Sequence, residues 1–126
     1  MSFETILYEE DGPIGWITLN RPEGGNMFNE TMCHELRDCM NDIRRETRTR
    51  VVVLTGSGDR FFCIGGEKSG MEDTLLYPGV LPTLEIYESI ERLQKPVIAS
   101  VNGYAVGGGN VLQVVCDMTI AKESAV

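Results

Sequence analysis

The sequence predicts an α/β fold, and two observations carry that prediction. Short runs of apolar and β-forming residues alternate along the chain with segments whose apolar residues recur every three or four positions. Turns that contain glycine or proline bound many of the apolar runs, as expected for strands within a sheet. No shift in composition divides the 126 residues, so the pattern favours a single core domain, residues 1–126.

The first part of the chain predicts two strands followed by a helix. Residues 3–8 and 14–19 are rich in β-forming residues, and residues 9–13 between them end in the Gly-Pro pair of a turn. Asn29 is a suitable N-cap for a helix that runs to about Arg45. Apolar side chains mark one face of this helix: Met32, Leu36, Cys39, Met40 and Ile43.

The rest of the chain alternates in the same way. Further strands are predicted at residues 51–55, 61–64, 97–101 and 118–121. Helices are predicted at residues 84–93 and 107–115. Residues 67–82 contain several glycines and prolines and predict a long loop, a type of segment that often carries function. Because no helix covers the last strand, we expect the chain to be truncated at its C-terminal end.

Charge and cysteine content argue against several functional classes. The net charge is −8, so the chain repels nucleic acid and anionic lipid at long range. No apolar run reaches the roughly 18 residues of a transmembrane helix, and no secretory signal is recognisable. We therefore expect a cytoplasmic protein with no membrane or nucleic-acid partner. The cysteines form no CxxC pair and the chain has one histidine, so no metal site is predicted.

Two glycine clusters are the strongest candidates for a functional site. Gly65 and Gly66 follow the apolar residues 61–64, and residues 107–109 are three glycines that open a predicted helix. Glycine at the start of a helix lowers its stability, so a compensating reason is needed. One possible reason is close backbone packing, and another is N–H groups that must approach a ligand oxygen. Two such N–H groups from separate segments would form an oxyanion hole, which stabilises negative charge on a carbonyl oxygen.

Several motifs resemble the crotonase (enoyl-CoA hydratase/isomerase) superfamily in their order and spacing. They are residues 19–23 (LNRPE) with Asn26, 52–56 (VVLTG), 61–66 (FFCIGG), 95–99 (KPVIA), 102–109 (NGYAVGGG) and 116–117 (CD). The resemblance implies the N-terminal part of the crotonase-like ββα spiral, an acyl-CoA thioester substrate and an enolate intermediate. It also implies that the N–H groups of Gly66 and Gly108 form the oxyanion hole. A homotrimer or hexamer is implied for the full-length protein, without a cofactor, because coenzyme A is part of the substrate.

The same resemblance implies further site residues around the two clusters. Tyr77 falls at the spacing of a substrate-contacting tyrosine and is predicted to donate a proton or a hydrogen bond, the alternative being an exposed loop residue. The predicted substrate-binding residues are Met27, Cys63, Ile64, Gly65, Glu67, Lys68, Tyr104, Ala105, Val106 and Gly107. The general acid or base is expected beyond Val126.

Val111 narrows the predicted reaction. It stands where the hydratases of this superfamily carry a catalytic glutamate, and a valine cannot transfer a proton. The segment around it resembles the 2-ketocyclohexanecarboxyl-CoA hydrolases and the 1,4-dihydroxy-2-naphthoyl-CoA synthases, and Asn110 is nearer to the hydrolases. Ring C–C cleavage or ring-closing condensation is therefore predicted. The alternatives are an enoyl-CoA hydratase/isomerase that uses other carboxylates, such as Glu67, and a non-catalytic fragment that binds a CoA thioester.

Overall fold

A computed structural model of the chain describes residues 2–66 and 82–125, with only the backbone of residues 82–84. Its elements, in chain order, are β1 (Ile6–Asp11), β2 (Ile14–Leu19), a 3-10 helix (Pro22–Gly24), α1 (Glu30–Arg45), β3 (Val51–Gly56), β4 (Phe61–Cys63), α2 (Pro82–Arg92), β5 (Val97–Val101), β6 (Tyr104–Ala105), α3 (Gly108–Val115) and β7 (Met118–Ala121). The alternation of strands and helices confirms the predicted α/β class.

Five strands form the main sheet, in the order β1-β2-β3-β5-β7. The β1–β2 hairpin is antiparallel, whereas β2, β3, β5 and β7 pair in parallel. β3 and β5 lie inside this sheet and consist largely of apolar residues, as is usual for parallel strands covered on both faces. β4 and β6 lie outside the main sheet and pair with each other in a short parallel sheet.

The apolar face of α1 packs into one hydrophobic cluster with the main sheet and α2. Met32, Leu36 and Ile43 are at most 1% exposed, as the periodicity of the helix predicts. Burial of each such side chain contributes roughly 1.5–3 kcal/mol to folding. Asn29 caps the helix, because its Oδ1 accepts a hydrogen bond from the Met32 N–H at 2.8 Å. The predicted extent of α1 is confirmed.

The predicted bounds of the first strand are wrong at both ends. The Glu35 carboxylate accepts hydrogen bonds from the N–H groups of Glu4 and Thr5, at 2.7 and 2.8 Å, so these groups do not join the sheet. At the other end, pairing with β2 continues as far as Asp11, and Gly12 forms the turn with a φ of 56°. The strand therefore begins and ends three residues later than the composition of the segment suggests.

β6 was not expected from the sequence, because two residues are too few to show a period. The strand exists because Gly103 lets the chain approach Arg60, where a Cβ atom on Gly103 would lie 2.1 Å from the Arg60 carbonyl oxygen. The Tyr104 N–H then donates to that oxygen at 3.0 Å. No helix in the described part of the chain is long and apolar enough to cross a membrane.

Candidate functional site

The structure brings the two glycine clusters together where β4 ends and α3 begins. The Val106 N–H donates to the Cys63 carbonyl oxygen at 3.1 Å, which aligns the two segments. A Cβ atom on Gly65 would lie 3.4 Å from the Gly108 nitrogen, and one on Gly109 would lie 1.9 Å from the Cys63 oxygen. Close backbone packing therefore explains Gly109. At Gly108 the nearest neighbour of a Cβ atom is the Tyr87 hydroxyl, at 3.2 Å, so packing alone excludes a side chain there less strictly.

The direction of the Gly66 N–H is set by the carbonyl group on the same peptide plane. In a trans peptide, the N–H of one residue points opposite to the C=O of the residue before it. The Gly65 oxygen accepts a hydrogen bond from the Phe28 N–H at 2.8 Å, so the Gly66 N–H is turned away from Phe28. It has no acceptor among the residues that the structure describes.

The Gly108 N–H is oriented in the same way by the start of α3. The Gly107 oxygen accepts hydrogen bonds from the N–H groups of Asn110 and Val111, at 3.0 and 3.1 Å, so the Gly108 N–H points outward from the helix. Within the described ranges it finds no acceptor, and α3 has no side-chain cap. Gly107 has φ 56° and ψ −122°, a conformation that strongly favours glycine. The positive end of the helix adds to the attraction of this donor for an anion.

Two asparagines fix the segment that carries Gly66. The Nδ2 groups of Asn26 and Asn102 both donate to the Phe61 carbonyl oxygen, at 3.0 and 2.9 Å. The Oδ1 atoms of the same two side chains accept from the N–H groups of Arg21 and Gly56, respectively. The asparagines therefore tie β4 to the ends of β2 and β3. Both lie in the motifs quoted above, but the sequence does not predict this tethering role.

Several of the predicted substrate-binding residues surround the glycines. Tyr104, Val106 and Gly107 are exposed, with Tyr104 at 42% and Val106 at 53%. Ala105 is partly buried against the hydrophobic cluster. The Tyr104 ring lies 5.9 Å from the ring of Phe61, centroid to centroid, so it is held at the edge of the β4–β6 sheet. Tyr104, Val106 and Gly107 are therefore accessible on the surface, and their contact with a substrate stays a prediction.

Other predicted substrate-binding residues make contacts within the protein. Cys63 is fully buried, its Sγ lies 4.0 Å from the Gly65 oxygen, and burial raises the pKa of its thiol to about 11. This burial does not support direct substrate contact by the Cys63 side chain. Ile64 packs against Gly25, and the Met27 carbonyl oxygen accepts from Arg21 Nη1 at 2.6 Å.

Three predicted site residues, Glu67, Lys68 and Tyr77, lie outside the described residues. Within the part of the chain that is described, no group of three His, Cys, Asp or Glu side chains could hold a metal ion. Asp117 belongs to the resemblance motifs, but its Oδ2 accepts a hydrogen bond from the Val97 N–H at 2.8 Å. The Asp117 carboxylate therefore has a structural role at the start of β5.

Tyr87 on α2 contacts the glycine clusters at Gly108, and the sequence does not predict this contact. Its hydroxyl donates to the Gly108 carbonyl oxygen at 3.1 Å, and a Cβ atom on Gly108 would lie 3.2 Å from the same hydroxyl. Burial raises the pKa of Tyr87, so the phenol stays protonated and can donate at neutral pH. In the sequence it counts only as part of the apolar face of a helix. The one available signal was a polar atom on that face.

Comparison with known proteins identifies the family and the fold. The family model for Enoyl-CoA hydratase/isomerase matches residues 9–126. The crystal structure of an enoyl-CoA hydratase from Bacillus anthracis is 32% identical, with a TM-score of 0.85 over 97% of this chain and 49% of that one. A monofunctional enoyl-CoA isomerase from M. smegmatis is 34% identical, with a TM-score of 0.80 over 96% of this chain and 51% of that one.

The chain thus spans about half the length of the solved structures that it matches. Its fold corresponds to part of theirs, and the family match covers almost the whole of the present sequence. The two glycine N–H groups lie in the matched region. The chain belongs to the enoyl-CoA hydratase/isomerase family of the crotonase superfamily.

Proposed function

We propose that the protein acts on acyl-CoA thioesters and that the N–H groups of Gly66 and Gly108 bind the thioester carbonyl oxygen. One observation carries the proposal: two N–H groups on adjoining segments lack acceptors among the described residues, and hydrogen bonds to the preceding carbonyl groups hold both in fixed directions. Donors that are fixed before the substrate arrives need no reorganisation when charge develops on the oxygen. They therefore bind the enolate more strongly than the thioester, and only such a difference accelerates a reaction.

The chemistry follows from the electron pair that is released at the α-carbon of the thioester. When a C–H or C–C bond to that carbon breaks, the pair delocalises onto the carbonyl oxygen, which becomes an enolate oxygen. Two N–H donors at the positive end of α3 stabilise this charge. The proton transfers need a general acid or base, which the two backbone N–H groups do not supply. Tyr77 as a hydrogen-bond donor, the trimeric or hexameric assembly and the cytoplasmic location stay predictions.

For the reaction itself, we favour hydrolytic C–C cleavage of a cyclic 2-keto-acyl-CoA, or the related ring-closing condensation. Val111 supports this choice, because it occupies the first turn of α3 with 44% exposure and offers no proton-transferring group there. The second candidate is enoyl-CoA hydration or isomerisation. The names of the similar hydratase and isomerase structures support it.

The two candidates differ in the product that they form. Hydrolysis of a cyclic 2-keto-acyl-CoA adds water and creates a new carboxylate, whereas hydration of a 2-enoyl-CoA adds water and creates a hydroxyl group. Mass spectrometry with carboxylate-specific derivatisation separates the two products. Turnover of the enoyl substrate alone would reject the ring-cleavage proposal in favour of the second candidate.

The variant Gly108→Pro tests the oxyanion hole by removing one donor. Gly108→Ala keeps the N–H and adds the same Cβ atom, 3.2 Å from the Tyr87 hydroxyl, so it separates loss of the donor from the effect of the added atom. Proline is well tolerated at the first position of a helix, where Gly108 lies. Glu30→Pro is the matched control, because it makes the same change at the first position of α1. We expect Gly108→Pro to lower kcat by about 10²–10³-fold, the usual effect of losing one oxyanion-hole donor, and Glu30→Pro to leave it unchanged.

The readout on the bound state is the infrared stretching frequency of a ¹³C-labelled thioester carbonyl. It should fall on binding to the unmodified protein and to Glu30→Pro, and return toward the solution value with Gly108→Pro. If the frequency does not move with the unmodified protein, or if Gly108→Pro leaves the shift intact, these N–H groups do not bind the carbonyl.

A further inference from the structure

Tyr87 contacts the same glycine whose N–H is assigned to the oxyanion hole. We propose that Tyr87 is a positioning residue, which holds the first turn of α3 and thereby fixes the direction of the Gly108 N–H. This role rests on the proposed function, in which the Gly108 N–H binds the thioester carbonyl oxygen. Its basis is the hydrogen bond of 3.1 Å from the Tyr87 hydroxyl to the Gly108 carbonyl oxygen.

The first turn of α3 has no side-chain cap, so contacts with other elements contribute to its placement. Its N-cap is Gly107, which has no side chain to accept a hydrogen bond from the helix. Gly108 and Gly109 follow, and glycine restricts the backbone less than any other residue. The packing of Gly109 on the Cys63 carbonyl group holds one side of this turn, and the Tyr87 hydroxyl holds another. Among the described residues, the hydroxyl of Tyr87 is the side-chain donor that bonds to the carbonyl of Gly108.

The helix that carries Tyr87 is itself firmly placed. Ile86 and Ile90 on α2 are 0% and 4% exposed and belong to the same hydrophobic cluster as α1 and the main sheet. Tyr87 therefore links the start of α3 to the core of the domain. Tyr87 also packs against Gly108. A Cβ atom built on Gly108 would lie 3.2 Å from the Tyr87 hydroxyl oxygen and 3.5 Å from the Phe28 ring.

The variant Tyr87→Phe keeps the ring and removes the hydrogen bond. Tyr8→Phe is the matched control. Tyr8, in β1, is also a partly buried tyrosine, and its hydroxyl forms a hydrogen bond with Thr49 Oγ1 at 3.1 Å. We expect Tyr87→Phe to lower kcat for the acyl-CoA substrate by about tenfold, as for the loss of one hydrogen bond, with KM changed less than twofold. The infrared shift of the bound carbonyl should shrink in Tyr87→Phe and be retained in Tyr8→Phe.

A second measurement needs no ligand. Amide hydrogen exchange, read by NMR, should become about tenfold faster at Asn110 and Val111 in Tyr87→Phe, while the amides of β3 keep their protection. A purely structural role would instead speed exchange throughout the domain, as the loss of any buried hydrogen bond can. Equal exchange in Tyr87→Phe and Tyr8→Phe, or a uniform increase, would overturn the positioning role.

The two proposals can fail separately. If the unmodified protein leaves the carbonyl frequency of the thioester unchanged, the function proposed for Gly66 and Gly108 fails, and the role of Tyr87 in a hole fails with it. If the unmodified protein shifts the frequency and Tyr87→Phe shifts it equally, only the positioning role is overturned.

Discussion

Helices α1 and α3 begin in opposite ways. At the start of α1, Asn29 accepts a hydrogen bond from the Met32 N–H, and the acidic Glu30 lies in the first turn. At the start of α3, Gly107 provides no side-chain cap, and the first turn has no acidic residue. α1 therefore has a side-chain cap, whereas α3 has none and leaves the Gly108 N–H at the positive end of its helix dipole available. The missing cap at α3, like the glycines, leaves the N–H that the proposed function assigns to carbonyl binding unpaired among the described residues.

The same contrast holds for other backbone groups at the ends of elements. Side chains accept hydrogen bonds from several such N–H groups: Glu35 from Thr5, Asn102 from Gly56, and Asp117 from Val97. N–H groups that are buried or lie at the end of a helix or strand are expected to be paired in this way. Among the residues that the structure describes, the N–H groups of Gly66 and Gly108 have no such side-chain acceptor.

Of the variants that test this contrast between the helix ends, Gly109→Ala should lower the free energy of unfolding most. Its Cβ would lie 1.9 Å from the Cys63 carbonyl oxygen, so the backbone of α3 or β4 must move. We expect a loss of about 3 kcal/mol in the free energy of unfolding, measured by urea denaturation. Gly24→Ala is the control, because its Cβ would make only an ordinary contact with Arg21 at 3.8 Å. Equal unfolding midpoints for the two variants would mean that α3 and β4 are less tightly joined than described.

Removal of the cap on the other helix should have a moderate effect. Asn29→Ala leaves the Met32 N–H without its side-chain acceptor, and we expect the free energy of unfolding to fall by about 1 kcal/mol. Asn41→Ala, in the middle of α1, is the control and should be neutral or slightly stabilising, because alanine favours helices. If Asn29→Ala is as stable as Asn41→Ala, the cap contributes nothing, and the contrast between the two helices loses its energetic basis.

The smallest effect concerns Glu46, at the C-terminal end of α1. The pKa of this carboxyl is lowered from 4.5 to about 2, chiefly by the side chain of Thr49, and further by the N–H groups of Thr49 and Arg48 and by Lys95. The lowered pKa favours the folded state above pH 4.5, and this contribution is lost as the pH falls toward about 2.

Glu46→Gln should therefore be less stable than the unmodified protein at pH 7, with a difference that shrinks to nothing near pH 2. Urea unfolding midpoints across this range measure the difference. Glu91→Gln, an exposed position on α2, is the control. A difference that stays constant from pH 7 to pH 2 would contradict the assignment.

Local patterns in the sequence predicted those parts of the fold that local interactions determine. α1 was predicted correctly because its cap and its apolar period lie within the helix itself. The bounds of β1 depend on Glu35, about thirty residues away, and β6 depends on contact with Arg60. Neither long-range contact affects the local sequence pattern. The pattern therefore predicts wrong bounds for β1 and does not predict β6.

The candidate site likewise depends partly on local sequence and partly on contacts between distant segments. Gly66 and Gly108 were indicated by the glycine clusters and by the resemblance to the crotonase superfamily. The orientation of their N–H groups depends on hydrogen bonds that Phe28, Asn110 and Val111 donate. Tyr87 reaches the site only because α2 and α3 meet in three dimensions. Tyr77, Glu67 and Lys68 stay predictions.

The two proposed donors belong to the main chain, and this has a consequence for how the protein can change. Every residue except proline carries a backbone N–H, so most substitutions near the site leave the donors in place. The exposed side chains of Tyr104 and Val106 can be exchanged without removing either N–H group. Under the proposed function, selectivity for the acyl group can therefore diverge through side chains while the carbonyl-binding N–H groups are retained.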